Sequence, residues 1–173
     1  MARVILNKHK FKYLLPAFVF FIVINITYAQ PGLPQRTITV QAIQALNFGT
    51  FALTGGGDGT VTVGFDGTRT SNSNVFLADV SQTAQQAIFE IKLCQGRNVT
   101  ITYVPSISLT GSNGGTMTLD IGPTEKGGIG STFEVDNDCN FITILQVGGS
   151  LHIPSTSSGG TYTGTFEITF EQE

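Results

Sequence analysis

The chain has 173 residues, of which 40% are hydrophobic and 12% are charged, and it contains two cysteines and no tryptophan. Its formal net charge is −3, and because an acidic surface repels phosphate backbones, nucleic acid is excluded as an expected partner. The 21 glycines cluster between apolar runs, which is typical of turns in a folded domain and not of a low-complexity chain.

The N-terminus has the organisation of a bacterial secretory signal peptide. Four basic residues, Arg3, Lys8, Lys10 and Lys12, lie in "MARVILNKHKFK" (1–12). They precede "YLLPAFVFFIVINI" (13–26), an apolar run shorter than the roughly 20 residues that span a bilayer. Small residues follow at the positions that a signal peptidase reads, Thr27 and Ala29. We expect residues 1–29 to be removed, so that Gln30 becomes the first residue; a retained N-terminal anchor is the alternative.

The chain left after this cleavage is predicted to be secreted and to form one domain. It keeps 144 residues, five basic and all twelve acidic, for a formal charge of −7, and this length suits a single core. We expect a short N-terminal segment at 30–36 and a domain at 37–173, with no second apolar stretch that could span a membrane.

Short alternating or β-branched runs, separated by clusters of Gly, Asn, Asp and Ser, fill this domain and predict an all-β antiparallel sandwich or barrel. The "SQTAQQA" stretch (81–87) is either one helical turn or a loop, and Gly148-Gly149 marks either a tight hairpin turn or a β-bulge. The predicted strands are 37–46, 48–53, 59–65, 74–80, 88–94, 98–104, 115–121, 141–147, 150–153 and 160–170.

The last predicted strand, "GTYTGTFEITF", alternates without a fault. Because successive side chains of a strand point to opposite faces, its threonines and Glu167 are expected to face solvent. The opposite face is expected to supply core, through Tyr162, Phe166, Ile168 and Phe170.

The two cysteines, Cys94 and Cys139, are predicted to form a disulfide, because an isolated pair in an exported chain is usually oxidised. They lie 45 positions apart, for which loop-closure entropy gives about 4 kcal/mol of stabilisation. Two free buried thiols are the alternative.

Motifs of catalysis are missing from the sequence. His152 is the only histidine after the predicted cleavage site, and it lies between Leu151 and Ile153, so it is expected to point to solvent. The chain has no G-x-S-x-G, no phosphate-binding glycine motif and no H-E-x-x-H. We therefore predict no enzyme activity, no catalytic residue, no cofactor and no metal site.

An acidic stretch, "EVDNDCN", is the sequence's nearest approach to a metal site. Asp136, Asp138 and Asn140 have the spacing of the first three ligands of a calcium loop. Phe141 stands where that loop needs glycine and Val147 where it needs glutamate, so a solvated acidic loop is expected.

An ordered set of motifs resembles the bacterial secreted family called domain of unknown function 4402, from residue 38 to the C-terminus. The motifs are "LNFGTF", "GTVTV", "DGTRT", "RNVTITYVPSISLTGSNGGTMTLD", "LQVGGSLHI" and "GTYTGTFEITF". The last of them also resembles the closing strand of fimbrial subunits and of spore-coat-U-like proteins. These resemblances imply an immunoglobulin-like, pilin-like sandwich at the cell surface.

The resulting hypothesis is a non-catalytic, secreted cell-surface structural or adhesive protein, with a fimbria-like subunit as one form. Its expected partners are itself or other surface subunits through strand addition, or a glycan or host-surface ligand. "RTITVQAIQAL" could donate a strand, whereas 30–36 contains two prolines and makes a poor ladder strand. The alternative is a secreted, monomeric carbohydrate-binding sandwich module.

Overall fold

The computed structural model describes residues 37–80, 83–94, 97–136, 138 and 140–172. The predicted signal peptide, its cleavage site at Ala29-Gln30, and Cys139 lie outside these residues. Thirteen strands and no helix form in the described part of the chain, so no helix there is long and apolar enough to cross a membrane. The prediction of an all-β fold with antiparallel sheets is confirmed.

The thirteen strands follow one another along the chain. They are β1 (Thr37–Gln44), β2 (Thr50–Leu53), β3 (Gly59–Val63), β4 (Arg69–Ser71), β5 (Val75–Ala78), β6 (Ala87–Cys94), β7 (Asn98–Tyr103), β8 (Ser106–Gly111), β9 (Thr116–Thr124), β10 (Thr132–Glu134), β11 (Thr143–Ile153), β12 (Tyr162–Thr163) and β13 (Ile168–Gln172).

Three antiparallel sheets contain these strands. In the largest, β1, β6, β11, β9, β8 and β12 lie side by side in that order, while β3 pairs with the second half of β11 and β4 pairs with β3. The second sheet has the order β10, β7, β13, and the third is the pair β2 and β5. The strand β11 is central, because it pairs with β6, β3 and β9.

The core forms from the alternate residues of these strands. In β11, Leu145, Val147, Leu151 and Ile153 are at most 2% exposed, as period-two alternation requires. Side chains of the large sheet and of the three-stranded sheet belong to one apolar cluster, which is the arrangement of a sandwich. Burying each such aliphatic side chain contributes about 1.5–3 kcal/mol.

The glycine pair in β11 is part of a bulged strand, not a hairpin turn. Val147 pairs with Thr124 and Gly149 with Ile121, so the register shifts across Gly148 while β11 continues. A Cβ on Gly148 would overlap the carbonyl oxygen of Val63. Glycine is needed here because the backbone of the neighbouring chain segment approaches closely.

The prediction of one strand over 160–170 is wrong. Tyr162 and Thr163 form β12 beside β8, whereas β13 begins at Ile168 and pairs with β7 in another sheet. The chain leaves the first sheet at Gly164, where a Cβ would come 2.5 Å from Cδ2 of Leu109. The alternation of apolar and polar residues continues past Gly164. The sequence pattern therefore looks like one strand, although its first part pairs with β8 and its last part pairs with β7 in another sheet.

Other differences concern short elements. The predicted strands 141–147 and 150–153 are the single strand β11, and β4, β8 and β10 were not predicted. Within the described residues of "SQTAQQA", 83–86 form a loop in which Gln85 makes an isolated bridge to Asn47.

Candidate functional site

The strand β1 lies at an edge of the large sheet. It pairs with β6, and no other strand of the described chain pairs with it. Its sequence, "TITVQAIQ", contains no charged residue and no proline. Natural edge strands are commonly protected by such residues against pairing with another chain. This edge lacks that protection.

The core-facing side of β1 is incompletely covered. Ile38 lies opposite Leu93, Val40 opposite Ile91, and Ala42 opposite Phe89. Residues directly opposite in an antiparallel pair share one face of the sheet, and the Leu93 and Ile91 side chains are at most 1% exposed. Val40 therefore faces the core, yet it is 36% exposed, and Ala42 is exposed as well.

A second edge without a partner strand in the described chain approaches the same place. The strand β13 pairs with β7 alone. The Phe89 ring lies 6.1 Å from the ring of Phe170 in β13 and 6.5 Å from that of Phe166, centroid to centroid. Since Phe89 is also the cross-strand partner of Ala42, residues of both β1 and β13 lie beside its side chain. We call Val40, Ala42, Phe89, Phe166 and Phe170 the open edge.

The four apolar residues of the C-terminal segment are all half-buried and pack against the core. Phe166 and Phe170 belong to the open edge. Ile168 lies opposite Tyr103 of β7, and the Tyr162 hydroxyl donates a hydrogen bond to the Ser158 carbonyl at 2.7 Å. Two of the four residues thus lie at the open edge, and the other two lie elsewhere, beside β7 and β8.

Exposed apolar side chains concentrate near β1. The described chain exposes ten large hydrophobic side chains, and five of them lie in β1, at the start of β11 or in the two residues that precede β11. Only β6 separates these two strands. The five are Val40, Ile43, Phe141, Ile142 and Ile144, with exposed fractions of 36% to 57%. Concentrations of this kind mark interaction surfaces more often than scattered single residues do.

A histidine–aspartate pair lies on the outward face of the large sheet. Nε2 of His152 is 2.8 Å from Oδ2 of Asp120, and their side chains are 47% and 50% exposed. Hydrogen bonds from the His152 ring and, to a smaller extent, from the Ser106 hydroxyl hold the pKa of Asp120 below its ordinary value of 3.8. The outward direction predicted for His152 is confirmed, since Leu151 and Ile153 are buried.

Short hydroxyl side chains surround this pair. Ser150 lies opposite both Thr62 and Asp120, and its hydroxyl is 2.9 Å from that of Thr62. A nucleophilic triad needs a hydroxyl on the histidine nitrogen that the carboxylate leaves open. In the described chain, no serine or threonine hydroxyl makes a hydrogen bond to His152. The pair presents exposed hydrogen-bonding groups that a ligand could contact.

The acidic stretch uses its carboxylates within its own loop. Oδ1 of Asp136 accepts a hydrogen bond from the Asp138 backbone amide at 3.0 Å, and Oδ1 of Asp138 accepts two from Asn140. Among the described residues, no three His, Cys, Asp or Glu side chains form a group that could hold a metal ion.

Cys94 is the last residue of β6 and lies opposite Thr37 of β1. No described cysteine is a free thiol. Because Cys139 lies outside the described residues, the disulfide between Cys94 and Cys139 stays a prediction.

Comparison with known proteins identifies the family. The sequence profile of the domain of unknown function DUF4402 matches residues 38–171, which include every strand described above except the first residue of β1 and the last of β13. No curated protein and no solved structure matches the chain. The matched region covers well over half of the sequence, and the chain therefore belongs to the DUF4402 family, a domain of unknown function.

Proposed function

We propose that this chain is a non-catalytic, exported structural or adhesive protein of the bacterial cell surface, and that it assembles like a fimbrial subunit by accepting a strand at the open edge. One observation carries the proposal: Val40 and Ala42 lie at core-facing positions of an edge strand and are nevertheless exposed.

A strand added at this edge would supply backbone hydrogen bonds and would cover exposed apolar side chains. Its backbone would supply ladder hydrogen bonds to β1, and its alternate side chains would cover Val40, Ala42 and the half-buried Phe89. Burying one Val or Phe side chain fully contributes about 1.5–3 kcal/mol relative to full exposure. Because these side chains are already partly buried, each would contribute less than this range.

The sequence supports export and gives no support to catalysis. The first 29 residues have the features of a signal peptide, and the histidine–aspartate pair lies on an open sheet face without an activated hydroxyl. Family membership adds no activity, since the family is a domain of unknown function.

Extraction of surface protein tests this proposal. Cells that produce the chain are sheared, and the released protein is run on a gel with and without boiling and detected with a specific antibody. We expect a ladder in the unheated lane that collapses to one band on boiling, because strand-exchanged subunits separate only when the fold melts. A single monomer band in both lanes would contradict assembly by strand addition.

The outward polar face favours a second candidate, a secreted carbohydrate-binding module. Asp120, His152, Ser150 and Thr62 present exposed or half-buried hydrogen-bonding groups on one sheet face. A glycan array probed with purified protein tests this candidate, with the Asp120→Asn variant as the matched control. Binding that weakens in D120N would support it, whereas an array without any binding would remove it.

A further inference from the structure

We propose that Asn113 is a site of spontaneous covalent modification, where the side-chain amide is converted to a carboxylate through a cyclic imide with Gly114, and that this conversion loosens β12 from the large sheet. Asn113 lies in the turn between β8 and β9. The reaction needs water and no enzyme or cofactor. Because β12 lies at the end of the large sheet opposite β1, this inference is independent of strand addition at the open edge.

The local sequence favours the reaction at this asparagine. Asn113 is the only asparagine of the chain that is followed by glycine. Glycine has no Cβ to obstruct the approach of its backbone nitrogen to the preceding side chain, and it reaches backbone conformations that other residues avoid. Gly114 has a φ of 84°, and no atom outside the adjoining residues lies within 4 Å of the position that a Cβ would take. The attacking nitrogen therefore meets little steric resistance.

The tip of this hairpin can open without disturbing the core. Residues 112–116 are all exposed. The Gly114 amide donates a hydrogen bond to the Gly111 carbonyl at 3.1 Å, and this bond has to open before the nitrogen can attack. Because exposed loop tips open at the lowest free-energy cost, we expect the reaction to proceed in the folded protein.

Water alone balances the conversion. The Gly114 nitrogen forms a bond to Cγ of Asn113, the bond from Cγ to Nδ2 breaks, and the Gly114 amide proton leaves with Nδ2 as ammonia. Water then adds to one of the two carbonyl carbons of the imide and breaks the bond from that carbon to the ring nitrogen. The products are aspartate and isoaspartate, and in isoaspartate the main chain runs through Cγ and is longer by one carbon atom.

The amide that is lost holds the segment after β11 against this turn. Nδ2 of Asn113 donates a hydrogen bond to the Gly159 carbonyl at 2.7 Å, and only the nitrogen of the amide can face a carbonyl oxygen at this distance. The carboxylate of the product has no hydrogen to donate, so two acceptors would face each other and repel. The extra main-chain carbon of isoaspartate also changes the path of the turn.

The strand β12 is short, and its attachment depends on the neighbouring turn. Its two residues pair with Thr110 and Gly111 of β8. Next to this pair, the Ser112 amide donates to the Thr161 carbonyl at 2.9 Å, and the Thr161 amide donates to the Ser112 hydroxyl at 3.1 Å. Since Ser112 directly precedes Asn113, a shift of the turn weakens these bonds as well, and β12 loses its alignment with β8.

Two aspartates also precede glycine, and they provide internal controls. Oδ1 of Asp58 accepts a hydrogen bond from the Ser155 amide, and Oδ1 of Asp66 accepts one from the Thr68 amide. These hydrogen bonds lower the pKa of both carboxyl groups, so both stay ionised, and an ionised carboxylate resists attack by a backbone nitrogen. The neutral amide of Asn113 lacks this protection.

Peptide mapping by mass spectrometry tests the site. The purified, folded protein is incubated in mildly alkaline buffer and sampled over time, and isoaspartate is labelled with an isoaspartyl methyltransferase. We expect the Asn113 peptide to gain the mass that replaces NH2 by OH and to accept the label. The peptides of Asn98 and Asn140 should stay unmodified, and those of Asp58 and Asp66 should accept no label.

Asn113→Gln is the matched variant, because its longer side chain has to close a larger ring and is expected to stay unmodified. An Asn113 peptide that stays intact, or that changes only when the protein is unfolded in denaturant, would overturn the site.

Hydrogen exchange tests the structural consequence. Ion exchange separates the converted protein, which carries one additional negative charge, from the unconverted protein. We expect the amides of 110–111 and 162–163 to exchange faster in the converted protein and in Asn113→Asp, while those of β11 stay unchanged. Asn98→Asp adds the same charge to β7 and should leave the exchange of β12 unchanged. Unchanged exchange of β12 in the converted protein would overturn the loosening.

Discussion

The carboxylate of Asp120 accepts a hydrogen bond from the His152 ring, and its pKa lies below the ordinary 3.8. A group whose pKa is lowered by folding stabilises the fold above its unfolded pKa and loses that contribution as the pH falls through its folded pKa. Asp120→Asn should therefore lower the unfolding free energy at neutral pH by no more than about 1 kcal/mol, since the pair is exposed.

Urea unfolding of D120N and the unsubstituted protein measures this effect from neutral pH to about pH 2. Asp58 and Asp66 also have lowered pKa values, through hydrogen bonds with Ser155 and Thr68, but they are present in both proteins and cancel. We expect the difference between the two proteins to disappear at the acid end. A difference that does not change with pH would contradict the assignment to Asp120.

Gly148 occupies a position where a side chain does not fit, because the backbone of a neighbouring strand approaches closely. Its missing side chain makes room for the Val63 carbonyl and the Phe65 amide. Gly148→Ala should destabilise the protein by about 1–3 kcal/mol, because the neighbouring backbone must move. Gly128→Ala is the control, since Gly128 is exposed and has nothing within 4 Å of the new Cβ. Equal thermal stability of G148A and G128A would argue against this packing.

At this scale, the sequence predicts the direction of a side chain but not its partner. Alternation around His152 placed it outward, because Leu151 and Ile153 must be buried. The pattern does not identify Asp120 as its partner, since Asp120 lies 32 positions away and only the register between β9 and β11 brings the two together. That register depends on the bulge at Gly148, and the sequence pattern at Gly148-Gly149 fits either a turn or a bulge.

Among the strands and their connections, the C-terminal segment has one alternating sequence pattern that contributes to two sheets. The packing of Phe166 in this segment can be tested. Phe166 lies between β12 and β13 and contacts the Phe89 ring, while the adjacent Thr165 is exposed. Phe166→Ala should cost about 2 kcal/mol, less than a fully buried phenylalanine because Phe166 is half-buried.

Thr165→Ala is the matched control for Phe166→Ala. Its side chain is exposed, so we expect a change within about 0.5 kcal/mol. Chemical denaturation of both variants compares them directly. Equal, small effects would contradict the packing of Phe166 against β6.

The end of β6 carries the predicted disulfide. Cys94 lies opposite Thr37 at the start of β1, so a bridge from Cys94 would stiffen the sheet beside the open edge. We expect no thiol to react with an alkylating agent before reduction and two to react afterwards, by intact mass. The double variant Cys94→Ser, Cys139→Ser should be less stable by up to about 4 kcal/mol. Two reactive thiols in unreduced, unfolded protein would disprove the bridge.

Long alternating strands were predictable, and short or shared ones were not. The strands β3, β7 and β9 carry enough alternating residues to be predicted from periodicity. The strands β4 and β10 have three residues each, too few to show a period, and they exist because β3 and β7 offer them a partner. The strand β8 alternates serine and threonine with Ile107 and Leu109, so its period of two was predictable and it was nevertheless missed.

For the whole molecule, alternation predicts an all-β antiparallel fold because such runs can bury only one face. It does not predict which strand lies at an edge, since pairing is set by contacts between distant parts of the chain. The exposure of Val40 shows the consequence. Its sequence neighbours make it look like a core residue, and only the sheet order leaves it beside an open edge.

Hydrogen exchange of the β1 backbone amides tests the central claim most directly. The protein is purified from the cell surface without heating, and its exchange is compared with that of the same protein after heating and refolding as a monomer at low concentration. We predict that amides in 38–43 exchange slowly in the assembled protein and faster in the monomer, while those of the central strand β11 remain slow in both. Equally fast exchange of the β1 amides in the two samples would contradict strand addition at this edge.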